Sequence, residues 1–201
     1  FNGSKDPSSI RVGFCRNTFS AGTHICLVFR DEAERKKIVS KFIQSGIADS
    51  EQVGYFADSA TPSEVVEWLS SLEVDVTEAL EKDSFVVDHA EDVYCPDGCF
   101  IPERMWNALK DAYTDAVEGD YTNARVTGEM SWALRGMPGS ERLIEYESGI
   151  NTVVRTHPIT AMCQYDANKF SGNLIYRAIQ VHPFLVVNGQ LVENPYFISR
   201  E

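Results

Sequence analysis

Hydrophobic residues along the chain follow two patterns in turn: short apolar runs, and longer stretches with helical spacing. The run HICLVF at 24–29 is rich in strand-forming residues, and apolar residues recur every three or four positions in the stretch that follows it. The same pair of patterns then repeats. We predict strands over 24–29, 51–58, 84–89, 124–130 and 159–166, and helices over 30–47, 61–72, 101–120, 140–150 and 173–179.

The end of the chain, PFLVVNGQLVEN at 183–194, has a different pattern. Two apolar runs flank Asn188-Gly189, a dipeptide typical of a tight β-hairpin. Strands that alternate with helices indicate a parallel sheet covered on both faces. We therefore predict an α/β fold with three layers, in which a mostly parallel sheet has helices on both faces and ends in an antiparallel C-terminal hairpin.

The length of 201 residues suits one hydrophobic core. Residues 1–20 begin with a polar, loop-like stretch, so we expect a flexible N-terminal segment or linker there and a single domain over 21–201. The sequence contains no apolar run of about 20 residues and no secretory leader, so we expect a cytoplasmic protein without a membrane span. The five cysteines are then expected to be free thiols.

Charge composition narrows the range of partners. There are 18 Lys and Arg against 30 Asp and Glu, a net charge of −12, and no basic cluster offsets this excess locally. Such a surface repels a phosphate backbone, so we expect no direct nucleic-acid binding.

Several enzyme signatures are absent. The connection after the first predicted strand, FRDEAER, has no glycine and three acids, and neither GxxxxGK[ST] nor GxGxxG occurs in the chain. G-x-S-x-G is absent as well, and nothing fixes a triad of Cys163, a histidine and Glu129. We therefore predict that the chain is not an enzyme and holds no cofactor.

Metal binding has one weak candidate in the sequence. His89, Cys95 and Cys99 lie within eleven residues, but a structural zinc site needs four ligands, and a Pro-Asp-Gly turn flanked by two thiols explains the same stretch. His24 and His182 begin predicted strands, which places both at the amino edge of the sheet.

Parallel sheets bind ligands outside the carboxyl ends of their strands. Glu129 ends the fourth predicted strand, and Trp132, Arg30, Tyr165 and Arg135 come at or near the same edge. One acid, two cations and two aromatic residues are typical of a small-molecule pocket. An ion pair of Glu129 with Arg135 or Arg30 that only organises the loop explains the pattern equally well.

Four stretches carry a family resemblance, and they occur in order between about Gly22 and Phe197. They are GTHICLVFRDEAER, RVTGEMSWALRGMPGSERLIEYE, AMCQYD and VHPFLVVNGQLVENPYF. Together they resemble the MEDS family, a sensory domain named from methanogens, methylotrophs and a dichloromethane-responsive repressor. The resemblance implies a RecA-like fold that has lost its nucleotide loop.

The resemblance also implies a function. It indicates a sensory domain of a signalling or transcription regulator that detects a small hydrocarbon-derived or one-carbon compound and relays it to an effector domain or partner protein. It adds His24, Cys26 and Cys163 to Glu129, Trp132 and Tyr165 as ligand contacts. The alternatives are a degenerate RecA-like nucleotide-binding module, or an interaction domain that forms a homodimer without ligand. The stretch 131–141, with two glycines and a proline, is the predicted mobile element.

Overall fold

A seven-stranded sheet forms the centre of the computed structural model, which describes residues 8–199. Its strands are β3 (His24–Phe29), β4 (Gln52–Ala57), β5 (Phe85–His89), β6 (Ala124–Glu129), β7 (Thr160–Asp166), β8 (Phe184–Val187) and β9 (Gln190–Glu193). They lie in the order β5-β4-β6-β7-β3-β8-β9, and every neighbouring pair is parallel except β8 with β9. The predicted fold class is confirmed.

Helices cover both faces of this sheet. They are α1 (Glu32–Ala48), α2 (Pro62–Ser71), α3 (Thr77–Glu81), α4 (Ala90–Tyr94), α5 (Pro102–Glu118), α6 (Leu143–Thr156) and α7 (Gly172–Val181). Buried residues of α1, α2 and α3 belong to one hydrophobic cluster, and those of α4, α5, α6 and α7 belong to another. The sheet separates the two clusters, so successive side chains of each strand enter different cores.

The ends of the elements have recognisable local causes. Thr61 and Glu64 form a capping box at the start of α2, and Asp31 caps α1 by accepting a hydrogen bond from the Glu34 backbone N–H at 2.8 Å. Asn188 and Gly189 both have positive φ between β8 and β9, as a type I′ hairpin turn requires.

The N-terminal segment contains a strand pair that was not predicted from the sequence. β1 (Ser9–Arg11) and β2 (Thr18–Ser20) form an antiparallel pair, and Ile10 and Val12 are buried in the cluster that α1 and α2 cover. The burial of these two apolar side chains explains why the segment is ordered. They were not recognised from the sequence because the residues around them are mostly polar. The first seven residues of the predicted flexible segment lie outside the described residues. The short helices α3 and α4 were also not predicted, because five residues are too few for a periodic pattern.

A buried arginine, Arg125, links α1 to the amino edge of the sheet. Arg125, on β6, is fully buried; its Nη2 donates to Glu51 Oε1 at 2.7 Å and to the Arg11 carbonyl at 3.0 Å, and its Nη1 donates to the Phe42 carbonyl at 2.9 Å. One guanidinium therefore joins β1, α1, β6 and the loop before β4. Across residues 8–199, none of the helices combines the length and apolar character needed to cross a membrane.

Candidate functional site

At the carboxyl edge of the sheet, Glu129 lies in a dense polar network. Its Oε1 accepts hydrogen bonds from Arg35 Nη1 at 3.0 Å and from the Tyr55 hydroxyl, and its Oε2 accepts one from the Ser59 backbone N–H at 2.8 Å. Arg35 Nη1 also lies 2.9 Å from Gln164 Oε1. Strands β4, β6 and β7 and helix α1 thus meet through side chains.

Electrostatics match this geometry. Burial opposes ionisation of Glu129, but the charge of Arg35 and the hydrogen bonds from Tyr55 and Ser59 outweigh it and lower the pKa of the carboxyl. Burial likewise opposes the charge on Arg35, yet the hydrogen bond to Glu32 and the charges of Glu129 and Glu32 raise its pKa. Both oxygens of the carboxylate are occupied by protein donors.

The partner of Glu129 is therefore neither of the arginines considered from the sequence. Arg35 lies one helical turn inside α1, where its charged neighbours Glu34 and Lys36 suggest an ordinary surface position. Arg135 instead pairs with Asp58 and Glu91, and Arg30 is exposed. The alternatives of an Arg135 or Arg30 pair were wrong, because the fold points Arg35 under the sheet edge.

The strand-to-helix connection at this edge does not favour an anion. The N-terminus of α1 has Asp31 as its cap and Glu32 and Glu34 in its first turn. Their negative charges satisfy the positive end of the helix dipole, which would otherwise attract phosphate.

On the opposite face of the sheet, a second polar cluster is fully buried. It joins His24 of β3, Cys163 and Tyr165 of β7, Glu147 of α6 and His182 before β8. Glu147 Oε2 lies 3.2 Å from His24 Nε2 and 3.1 Å from Cys163 Sγ, while the Tyr165 hydroxyl donates to its Oε1. His182 Nε2 lies 3.4 Å from the same Oε2.

Burial dominates the titration of this cluster. It lowers the pKa of His24 to about 4, an effect that the hydrogen bond to Glu147 opposes. It raises the pKa of the Cys163 thiol, an effect that the charge of Glu147 reinforces. At neutral pH the thiol and the imidazole of His24 are therefore both uncharged in this interior. Burial also opposes the charge of Glu147, but His182 and His24 lower its pKa.

An aromatic cluster adjoins these polar groups. Trp132 is fully buried, stacks on Tyr94 with ring centroids 4.8 Å apart, and lies 4.6 Å from the Phe100 ring. Tyr146 packs edge-on against Phe100 at 5.5 Å, and burial raises the pKa of the Tyr94 and Tyr146 hydroxyls. The Trp132 indole N–H has no hydrogen-bond partner within residues 8–199.

The predicted ligand residues thus fall on two faces of the sheet. Glu129 belongs to the α1 side, whereas five others lie on the α6 side: His24, Cys26, Cys163, Tyr165 and Trp132. Arg30 and Arg135 join neither group. Whether these residues contact a ligand stays a prediction.

Sequence reasoning missed Glu147 and the role of His182. His24 and His182 do lie at the amino ends of β3 and β8, as predicted. Both contact the buried Glu147 carboxylate there. A signal for Glu147 was present, because it interrupts the buried stripe of α6 formed by Leu143, Ile144, Tyr146, Ile150 and Val153. An acid on an apolar helix face requires a buried partner.

The metal ligands considered from the sequence are not brought together. His89 is exposed at the end of β5, Cys95 is buried after α4, and Cys99 is half-buried in the following turn. All five cysteines lie in the described part of the chain and are free thiols, as expected. Within residues 8–199, the side chains close enough to share one ion are instead His24, Glu147, Cys163 and His182.

A comparison with family models decides the relationship. The model described as the methanogen/methylotroph, DcmR sensory domain (MEDS) matches residues 23–183, most of the chain and all the strands from β3 to β7. The chain belongs to the MEDS family. It is therefore a sensory domain, and the resemblance read from the four sequence stretches is confirmed.

This MEDS domain is similar in sequence to part of a transcription regulator. The transcriptional repressor DcmR of Methylorubrum extorquens is 23% identical over 160 residues, which cover 79% of this chain and 57% of DcmR. The chain thus spans somewhat more than half the length of that relative. Family membership and this relative together support a sensory role in regulation.

Solved structures show the fold of the MEDS domain. The flagellar accessory protein FlaH of Methanocaldococcus jannaschii matches with a TM-score of 0.61 and 10% identity, covering 85% of this chain and 75% of FlaH. A KaiC-like protein of Pyrococcus horikoshii matches with a TM-score of 0.61 and 14% identity, covering 83% and 71% of the two chains. At these identities the likeness establishes the RecA-like fold and nothing further.

A glycine-containing loop connects β6 to α6 in the MEDS domain. After β6 the chain forms a 3-10 segment, Met130–Arg135, and a second short one, Ser140–Arg142, before α6. Gly139 has a φ of +87°, and a Cβ there would lie 2.0 Å from the Phe100 carbonyl oxygen. The Phe100 backbone N–H also donates to the Pro138 carbonyl at 2.8 Å. The loop is therefore held against the aromatic cluster by its backbone.

Replacing Gly139 by alanine is expected to lower the free energy of unfolding by about 2–3 kcal/mol, because the left-handed conformation and the overlap with Phe100 both oppose a Cβ. Gly136 is the matched control, since its φ is +71° and no atom lies within 4 Å of a Cβ placed there. Its alanine variant should lose about 1 kcal/mol, from the backbone conformation alone. Urea denaturation measures both, and equal losses would contradict the described contact.

Proposed function

We propose that the chain senses a small organic molecule of the one-carbon or halogenated hydrocarbon class for a signalling or transcription regulator. The ligand binds within the aromatic cluster on the α6 side of the sheet, and its occupancy is relayed to an effector domain or partner protein. This is a more specific role than the sensory one that family membership establishes.

The unpartnered indole N–H of Trp132 is the observation that carries the proposal. A buried N–H without an acceptor destabilises a protein by about 1–3 kcal/mol, so such a group in a native structure requires an explanation. A ligand that places an oxygen or halogen atom beside Nε1 supplies an acceptor. The residue would then lower the stability of the free protein and favour the bound one.

The surroundings of Trp132 suit such a ligand. Tyr94, Phe100 and Tyr146 provide apolar ring surface, and the Cys163 thiol is a weakly polar boundary on the side of the buried cluster. Sites for small molecules are mostly apolar with a few convergent polar groups, which is the composition found here. A charged ligand would find no counter-charge among the rings.

The position of Trp132 supports a relay to the carboxyl edge. It lies in the 3-10 segment Met130–Arg135, whose Ser131 hydroxyl donates to Asp58 Oδ2 at 2.6 Å and whose Arg135 pairs with Asp58. A ligand that moves the Trp132 ring therefore moves two contacts to the loop after β4. For this to shift a population, the ligand must bind the two arrangements with different affinity.

The nucleotide-binding alternative has less support. Asp31, Glu32 and Glu34 occupy the helix end that holds phosphate in related folds, and the Arg35 guanidinium is engaged by Glu32 and Glu129. A nucleotide would have to displace carboxylates from both places. We therefore expect ATP to leave the melting temperature unchanged.

Titration with dichloromethane, with methanol as a second probe, tests the proposal. We expect dichloromethane to change the tryptophan fluorescence saturably and to raise the melting temperature with concentration. Trp132→Phe should abolish both effects, because it removes the donor and shortens the ring. The matched control is Trp68→Phe: the Trp68 indole N–H also lacks a partner within residues 8–199 but belongs to the cluster on the other face.

The outcomes separate clearly. A response retained by Trp68→Phe and lost from a folded Trp132→Phe supports the site. A response retained by Trp132→Phe overturns the site, and no saturable response to either probe up to its solubility overturns the proposed ligand class.

A further inference from the structure

The cluster of His24, Glu147, Cys163 and His182 has the composition of a metal site. Two imidazoles, one carboxylate and one thiol come from β3, α6, β7 and the residue after α7, and one ligand atom from each lies within 4.8 Å of the others. The side chains of His24, Glu147 and His182 have no solvent exposure. Four such groups without solvent need compensation inside the protein.

Four of the six distances between ligand atoms in the cluster are close to the edges of a tetrahedron. Zinc bonds to nitrogen and oxygen are about 2.0–2.1 Å and those to sulfur about 2.3 Å, so the edges of a tetrahedral site are about 3.3–3.6 Å. Glu147 Oε2 lies 3.2 Å from His24 Nε2, 3.4 Å from His182 Nε2 and 3.1 Å from Cys163 Sγ. Cys163 Sγ lies 3.6 Å from His24 Nε2. Small shifts of these side chains would place all four around one ion.

Hydrogen bonds at the outer nitrogens fix how the imidazoles face the cluster. His182 Nδ1 lies 2.7 Å from the Ala178 carbonyl, so it must donate. His24 Nδ1 lies 3.1 Å from Asn151 Oδ1, and it also donates, because the Asn151 amide nitrogen is engaged by the Ser148 and Val181 carbonyls. In the neutral rings, both Nε2 lone pairs therefore point at the Glu147 carboxylate.

Lone pairs directed at a carboxylate repel it, and a cation between them removes the repulsion. His182 Nε2 finds no hydrogen-bond partner within residues 8–199, although it is buried and aimed into the cluster. An Nδ1–H donated to a carbonyl oxygen, with Nε2 free, is the arrangement that metal-binding histidines adopt. The Tyr165 hydroxyl donates to Glu147 Oε1 and so holds the carboxylate with Oε2 turned inward.

We propose that His24, Glu147, Cys163 and His182 bind one divalent transition-metal ion, with Zn²⁺ as the best match. Nitrogen and sulfur donors exclude Mg²⁺ and Ca²⁺, which require oxygen ligands. Cys163 loses its proton to solvent on binding, so thiolate and carboxylate together neutralise the ion, as an apolar interior demands. With four protein ligands the site is closed, and it ties α6 to the strands.

Metal analysis and cobalt substitution of the full chain test the site. We expect one equivalent of zinc in the purified protein, and Co²⁺ in its place should give the visible bands of tetrahedral coordination and a thiolate-to-metal charge-transfer band. Cys163→Ser should lose the charge-transfer band. Cys26→Ser is the matched control, because Cys26 is the buried register partner of Cys163 on β3 and is not among the four ligands.

A second measurement keeps the test independent of the fold of one variant. Zn²⁺ added to wild-type protein stripped with a chelator should raise the melting temperature, and Mg²⁺ should not. Failure of the stripped protein to take up Zn²⁺ or Co²⁺ would overturn the proposal and leave the cluster as a buried hydrogen-bonded network without a metal. A charge-transfer band lost from Cys26→Ser but kept in Cys163→Ser would also overturn it. Neither readout depends on an organic ligand. The metal site is therefore tested independently of the proposed function.

Discussion

Replacing Glu129 by glutamine is expected to lower the free energy of unfolding by about 3–5 kcal/mol, the usual effect of breaking a buried ion pair from one side. For a chain of this size, each kcal/mol corresponds to roughly 2–4 °C in melting temperature. The reason is that Arg35, fully buried, keeps its charge and loses the buried carboxylate 3.0 Å away. An amide also donates where a carboxylate only accepts, which conflicts with the N–H of Ser59 or the hydroxyl of Tyr55.

The same residue makes stability depend on pH. The folded pKa of Glu129 lies below its ordinary value. The stabilisation by its charge is therefore complete above the unfolded pKa of about 4.3, and it is lost as pH falls through the lower folded value. The difference in stability between wild type and Glu129→Gln should consequently be largest at neutral pH and narrow in acid. Chemical denaturation across that range measures it.

Glu32→Gln is the matched control for this prediction. Glu32 pairs with the same Arg35 but its side chain is 51% exposed. Its loss should change stability by less than about 1 kcal/mol, since solvent screens the pair. If Glu129→Gln melted like wild type while abolishing a ligand response, Glu129 would be a ligand contact rather than a structural acid.

Replacing Arg125 by methionine is the second change with a large expected effect, again about 3–5 kcal/mol. Methionine fills similar volume but leaves the Glu51 carboxylate buried without its cation, and it removes the donors to the Phe42 and Arg11 carbonyls. The contact of the guanidinium with the Phe42 ring, 4.8 Å from its centroid, is lost too. Thermal and urea unfolding measure the change.

Two further variants test whether burial of the ion pair causes the loss of stability expected for Arg125→Met. Arg104→Met removes a cation that is 41% exposed and paired with Asp97, so it should lose less than about 1 kcal/mol. Adding Glu51→Leu to Arg125→Met should recover part of the lost stability. The double variant buries two apolar side chains, whereas Arg125→Met alone leaves one carboxylate buried without a cation. A double variant less stable than Arg125→Met would contradict this account.

Much of the fold was predictable from local patterns. The β3 run at 24–29 matches its predicted bounds, and the helix predicted over 61–72 corresponds to α2, which begins at Pro62 after its Thr61 cap. Asn188-Gly189 identified the hairpin between β8 and β9. In each case the signal is contained within a few consecutive residues. The β1–β2 pair escaped prediction because its order comes from Ile10 and Val12 packing against distant helices.

The candidate sites were less predictable, and the reason differs at each residue. Glu129 was recognised as an unusual acid at a strand end, but Arg35, 94 positions away in the chain, became its partner. Glu147 was overlooked in a helix that looked simply amphipathic, although it receives contacts from His24 and Cys163. Ion pairs of this kind join residues far apart in sequence, where periodicity carries no information.

The sequence by itself determined the alternation of strands and helices, the loss of the phosphate loop and membership of the MEDS family, since all of these depend on local residue order. Only the tertiary structure decided which polar groups share an interior. The parallel sheet sends alternate side chains to opposite faces, so Glu129 and Cys163 lie in separate clusters although β6 and β7 are neighbours. A buried charge must be compensated within a few ångströms. The packing of α1 and α6 therefore determines the pairs, because α1 brings Arg35 to Glu129 and α6 brings Glu147 to His24.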